Sequence, residues 1–182
     1  MTREQLEALI ESVESLSTNL VSHHHGPQHW RCVSRLGIEL ARETPGADPL
    51  VALLFGLFHD AMRENEFDDP EHGPRAAKLL KALHGVGLIP LSSTQMAKVS
   101  IACITHTESP PTPDPMVGVC YDADRLTLWR VGIRPSVEYL STRGGARRAE
   151  DGSTESLHRT PLTWREILDD YFRTATSAAE IS

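Results

Sequence analysis

The sequence predicts an all-α fold, a single-domain helical bundle. Three observations predict it. Apolar residues recur at helical spacing in nearly every periodic stretch, no Val/Ile/Thr-rich alternation marks a strand, and the breaks between stretches are Pro- and Gly-rich turns. A length of 182 residues is near the usual size of one domain, and no internal repeat divides it.

The elements follow in order. Leu6, Leu9, Ile10, Val13 and Leu16, with glutamates between them, predict a first helix ending near Asn19. Pro27, tolerated in a first turn, opens a second that carries Val33, Leu36 and Leu40 inward. Thr44 to Pro49 is a turn with Asp48 as N-cap. From Leu50 to Met62 the chain is apolar on most sides, which predicts a helix at the centre of the domain. After the polar stretch Arg63 to Pro70, a helix runs from Glu71 to Leu83 and stops at Gly85-Val86-Gly87. Ser92 and Gln95 form a capping box for a helix reaching about Thr105. Four prolines between 110 and 115 make a stiff connector, after which Met116 to Val131 is helical again. Ser141 to Thr160 has almost no apolar residue and reads as a mobile excursion. Thr163 with Glu166 caps a last helix that docks through Trp164, Ile167, Leu168 and Tyr171. The predicted organisation is a helical domain over 1–140, a flexible loop over 141–160, and a C-terminal helix over 161–182 packing on the domain.

Composition narrows function. With 18 basic and 25 acidic side chains the net charge is −7, which argues against a nucleic-acid partner, and aromatics at 5% leave few stacking platforms. The odd cysteines Cys32, Cys103 and Cys120 form no CxxC pair and read as small buried hydrophobes. No apolar run is long enough to span a membrane, and the N-terminus lacks a signal-peptide pattern, so the expected location is the cytoplasm, with no membrane partner.

Chemistry concentrates in histidines and aspartates. Asp60 ends an apolar helix, where an unpaired carboxylate costs several kcal/mol; a cation, or an arginine such as Arg63, must compensate it. His29, His59, Asp60 and Asp124 lie on three predicted helices, the way bundle cores build metal sites. Imidazole and carboxylate without thiolate suit a divalent transition metal, Mn, Fe, Co, Ni or Zn. His72 and His106 each lie near a helix end and are candidates for a second ion or for holding substrate phosphate. His23, His24 and His25 read as a solvated helix end, and His84 and His158 as surface residues. Arg63, Arg125 and Arg130 either pair with carboxylates or bind phosphate.

These motifs resemble the HD-domain superfamily of metal-dependent phosphohydrolases. His29 in His-Trp-Arg-Cys-Val is similar to the family's first-histidine helix, Phe58-His59-Asp60-Ala61-Met62-Arg63 to its defining doublet, and Asp122-Ala123-Asp124-Arg125-Leu126 to its closing motif, with Asp124 as the ligand. The resemblance spans roughly His25 to Gly132 and implies an HD-type helical bundle holding one ion or, through His72 and His106, two. Arg63 stands where some nucleotidases of the family carry glutamate, and Glu64 follows it. The implied activity is hydrolysis of a phosphate mono- or diester, with a nucleotide as the first substrate class, by metal-activated water. Arg63 would assist the developing charge, and Asp60 or Glu64 would orient water or move a proton. Two alternatives stand beside it: a non-catalytic metal- or nucleotide-binding domain, and a di-iron oxygenase.

Overall fold

The computed structural model describes residues 1–160 and 162–179, those of 174–179 by their backbone alone; of the expected C-terminal helix, 161 and 180–182 lie outside the described residues. Among the described residues there are eight α-helices and no strand: α1 (Arg3–Leu16), α2 (Pro27–Glu43), α3 (Pro49–Phe58), α4 (His72–Gly85), α5 (Ser93–Thr105), α6 (Pro115–Arg125), α7 (Arg143–Asp151) and α8 (Trp164–Ala179). The all-α bundle is what the sequence predicts. No helix among the described residues is long and apolar enough to cross a membrane.

Helix α3 is the axis. Every residue from Leu50 to Phe58 is buried, and α2, α5 and α6 pack around it. Its apolar circumference is the reason: a helix without a polar face has no side to give to water. Gly56 lets α2 come close, because a β-carbon there would overlap Ser34. At the opposite end of the helix Asp48 caps through Leu50 N, as its spacing predicts. The capping boxes of α1 (Thr2, Gln5) and α5 (Ser92, Gln95) are formed, and Thr163 and Glu166 bond reciprocally at the head of α8. Helix α8 buries Ile167 and Leu168 and is tied to α2 by Arg42–Asp170 at 2.6 Å and to α1 by Arg3–Asp169 at 2.7 Å. The three cysteines are free and buried, and burial pushes the Cys32 thiol up to about 11.

Four expectations are corrected. Helix α1 stops at Leu16, so the three consecutive histidines lie in the turns before α2 rather than on a helix end. Helix α3 stops at Phe58, not Met62: Ser17 Oγ donates to Ala61 O at 2.7 Å and Thr18 N to the same oxygen at 3.2 Å, holding the turn after His59. The helix expected over Met116 to Val131 ends at Arg125, and a 3₁₀ turn over Leu128–Val131 closes on Gly132 at φ 76°.

The last correction concerns Ser141 to Thr160, which contains helix α7 and a 3₁₀ turn over Leu157–Arg159. Its anchors are polar, which is why a search for apolar periodicity passes over it. Thr142 caps α7 through Gly145 N, and Arg147 and Arg148 both pair with Glu43 of α2. The buried Asp122 carboxylate accepts from Ser141 N at 2.7 Å and from Thr142 N and Oγ1 at 2.8 Å.

Candidate metal centre

Five helix ends deliver the six residues of the cluster. Pro27 starts α2 so that His29 falls in its first turn; α3 hands His59 and Asp60 to the turn that follows it; α4 begins at His72; α5 ends on His106; Asp124 lies in the last turn of α6. Five of the six candidate ligands are among the buried polar residues of the chain, and the Asp124 side chain is 16% exposed. One close approach brings α4 onto α5. A β-carbon at Gly73 would overlap the Cys103 carbonyl oxygen, so glycine beside His72 is a steric requirement for this packing.

The cluster has two halves joined by one carboxylate. Asp60 Oδ2 stands 3.4 Å from His29 Nε2 and 3.5 Å from His59 Nε2; Asp124 Oδ1 completes that half at 3.3 and 3.9 Å from the same nitrogens. Asp60 Oδ1 faces the other way, 3.3 Å from His72 Nε2 and 3.9 Å from His106 Nε2. The imidazoles also face each other in pairs, His29 to His59 at 3.0 Å and His72 to His106 at 3.1 Å.

Protonation follows from the outer nitrogens. A carbonyl can only accept, so each Nδ1 facing one must carry the proton. His59 Nδ1 meets the Gly56 carbonyl at 3.1 Å, His106 Nδ1 meets that of Cys103 at 2.9 Å, and His72 Nδ1 meets that of Asp69. His29 Nδ1 lies 3.4 Å from Thr127 Oγ1, whose own proton goes to Asp124 O at 2.7 Å, so here too the ring donates outward. All four Nε2 atoms therefore present lone pairs to one another as long as the rings are neutral. Burial keeps two of them so: it lowers His59 to about 3, and it lowers His106 as well, against the pull of Asp124 and Asp60. Burial acts to raise both carboxyls; Asp60 and, with help from Arg130, Asp124 fall below the usual range only where the imidazoles facing them carry positive charge, so with neutral rings the two carboxylates lack a compensating cation.

Facing lone pairs beside buried carboxylates repel unless a cation lies between them. Among the described residues, Asp60 Oδ1 and Asp124 Oδ1 are buried without any hydrogen-bond partner. Two groups, His29 with His59 and Asp124, and His59 with Asp60 and His106, have one donor atom each within 4.8 Å of one another. The cluster could hold a metal, and outward-bonded Nδ1 atoms are the usual partners of a metal-binding imidazole. No family model, curated protein or solved structure matches this chain.

The cluster opens into a cleft of about 390 Å³ whose walls include Arg63, Arg125, Arg130, His25 and Tyr139. The arginines are mostly committed to backbone carbonyls. Arg125 bonds those of Tyr139 (2.6 Å) and Ser109, and Arg130 bonds His24 O at 2.8 Å and Thr127 Oγ1 at 2.9 Å. Arg63 spends Nε on Asn65 O and Nη2 on Phe67 O, and turns Nη1 toward the His72 ring, 3.3 Å from Nδ1 and 3.4 Å from Nε2, and toward Asp60 Oδ1 at 3.7 Å.

His29, His59, Asp60, Asp124, His72 and His106 are thus brought together, with Arg63 at their edge. Glu64 is not: its side chain is 63% exposed and lies 3.6 Å from Arg75. Two participants have no sequence signal strong enough to single them out. Thr127 orients His29, and the sequence offers only a threonine three residues after Asp124. His25 lines the cleft and bonds Glu66 at 2.9 Å; its position four residues before His29 is the one hint of this.

Proposed function

We propose that the protein is a metal-dependent phosphohydrolase of the HD type, acting on a small phosphate ester, with nucleotides the first class to test. The observation that carries this reading is the convergence of four imidazole lone pairs and two partnerless carboxylate oxygens at the floor of an open cleft. The order His29, His59-Asp60, Asp124 along the chain, which resembles the HD-domain motif, supports it.

In this reading His29, His59, Asp60 and Asp124 hold one ion, and Asp60, His72 and His106 a second. A transition metal suits imidazole and carboxylate donors. When bound, such an ion supplies Lewis acidity at a phosphoryl oxygen and acidifies water. The chain's own groups do the rest. The Nδ1 hydrogen bonds fix the imidazole planes before substrate arrives. Arg63 Nη1 is its donor left facing the cluster and assists the phosphoryl charge. Asp60 takes the proton-handling role in preference to Glu64, which sits beside Arg75. The buried core behind α3 keeps water to the cleft side.

Metal analysis of the purified protein, followed by phosphate release from nucleotides, cyclic nucleotides and simple esters with Mn, Fe, Co, Ni or Zn, tests the proposal. Release that Asp60→Ala abolishes supports it. A metal-loaded protein that releases phosphate from none of these esters refutes it; oxygen uptake by the iron-loaded form would point to oxidative chemistry.

A further inference from the structure

Beyond the cluster, on the His72 side, lies a second cleft of about 430 Å³. It shares Arg63, Thr107, Glu108 and Ser109 with the first, so the two clefts meet along one ridge beside Asp60 and His106. Its walls add Phe67, Pro70, Ile104 and Pro110, where the first cleft has Leu128, Pro135 and Tyr139; Phe67 is the more exposed of the two aromatic rings. Phe67 is 86% exposed.

An aromatic ring left in water this fully is costly, and here its backbone is held in place. Phe67 N donates to Asn65 Oδ1 at 2.8 Å, Phe67 O accepts from Arg63 Nη2 at 2.5 Å, and Asn65 O accepts from Arg63 Nε at 3.0 Å. The arginine that turns its remaining nitrogen toward Asp60 therefore also sets the turn that displays the ring. Composition leaves few stacking platforms in this chain; one of its four phenylalanines stands at the mouth of the second cleft.

We propose that Phe67 is the platform on which a nucleobase of the substrate stacks while its phosphate lies at the His/Asp cluster. This rests on the phosphohydrolase reading and narrows it to esters with an aromatic base. The cleft volume falls in the range that holds small ligands. Stacking on a single ring suits a range of bases, because every base has a π face. The carboxylates Asp68 and Glu108 on the same walls accept hydrogen bonds and favour a base with N–H donors.

The test removes the ring from the protein and the base from the ligand in turn. Adenosine 5′-phosphorothioate and ribose 5-phosphorothioate, slowly hydrolysed probes, are titrated calorimetrically into the metal-loaded protein and into Phe67→Ala. The adenosine probe is expected to bind about tenfold tighter to the wild type, with the ratio falling to about twofold or less in the variant and Phe67→Leu lying between. Because the side chain is exposed, the variants keep the wild-type circular dichroism. A ratio that Phe67→Ala leaves unchanged, or no preference in the wild type, overturns the inference. Phosphate release from AMP is followed separately: its absence together with an intact, Phe67-dependent preference would refute the hydrolase reading and leave the base subsite standing.

Discussion

The two halves of the cluster share Asp60, and His59 approaches both. The inner half, His29, His59, Asp60 Oδ2 and Asp124, draws on α2, α3 and α6 and has two carboxylates. The outer half, Asp60 Oδ1, His72 and His106, draws on α4 and α5 and has one. The inner half sits in the packed centre of the bundle, whereas the outer half depends on a single close approach at Gly73 and borders the turn from Arg63 to Pro70. More negative charge and more surrounding structure predict that the inner half binds its ion more tightly. An ion bound in the outer half should be the one lost first on dilution or mild chelation.

The largest effect is expected where the halves meet. Asp60→Ala should remove both metal equivalents and all phosphate release, measured by elemental analysis and a phosphate assay; one equivalent retained would mean that Asp60 serves one half alone. Next, His29→Ala should cost the tight equivalent, and His72→Ala only the weak one. Competition with a graded series of chelators separates the two, and identical curves for the two variants would erase the asymmetry. Gly73→Ala should push α4 off α5 and reproduce the His72→Ala curve while the inner equivalent stays. Normal stoichiometry in that variant would show that the contact has room to yield.

Acid should weaken the metal-free protein through both halves. His59 and His106 have folded pKa values depressed by burial, His59 to about 3, below an unfolded value of about 6.5. Between those limits the unfolded chain binds more protons, so stability is full above about pH 6.5 and falls as pH drops toward 3. A denaturation midpoint measured on the metal-free protein should therefore decline from neutral pH through this window, and a flat profile would contradict neutral buried imidazoles. Thr127→Val should have the smallest effect, a roughly tenfold loss of affinity confined to the inner half, because it deletes an outer-nitrogen partner while leaving every ligand. An equal loss in the outer half would assign Thr127 a broader structural role.

How much of this is legible in the sequence depends on the kind of residue. The ligands stand out because they are ionisable groups in apolar surroundings: Asp60 follows nine buried residues of α3, a place where chemistry must account for a charge. The core is legible for the complementary reason, since Leu6, Leu9, Ile10 and Val13 repeat with the helix and are all buried. Helix α7 escapes because its inward face is Gly144 and Gly145, pressed against Glu43 and Asp122, so that small size and polar anchors replace the apolar stripe. Thr127 escapes because a threonine near a helix end has many ordinary uses. Glu64, close to the doublet in sequence, is carried by the turn after Met62 to the side of Arg75. Chain proximity and spatial proximity part company at that turn.

The fastening of Ser17 and Thr18 to the turn beyond Asp60 has a consequence for how the molecule opens. Ser17 Oγ and Thr18 N hold the Ala61 carbonyl, and Thr18 Oγ1 holds that of Arg63 at 2.8 Å. The N-terminal helix is therefore a clasp on the segment that carries the shared carboxylate, although it contributes no ligand. Release of Ser17 and Thr18 at the end of α1 would reach Ala61 in one step and loosen the backbone directly after Asp60. The amide of Thr18 should accordingly exchange with solvent in the same cooperative event as that of Arg63, whose N–H bonds the Asp60 carbonyl. Ion release and N-terminal opening would then share a single local unfolding unit.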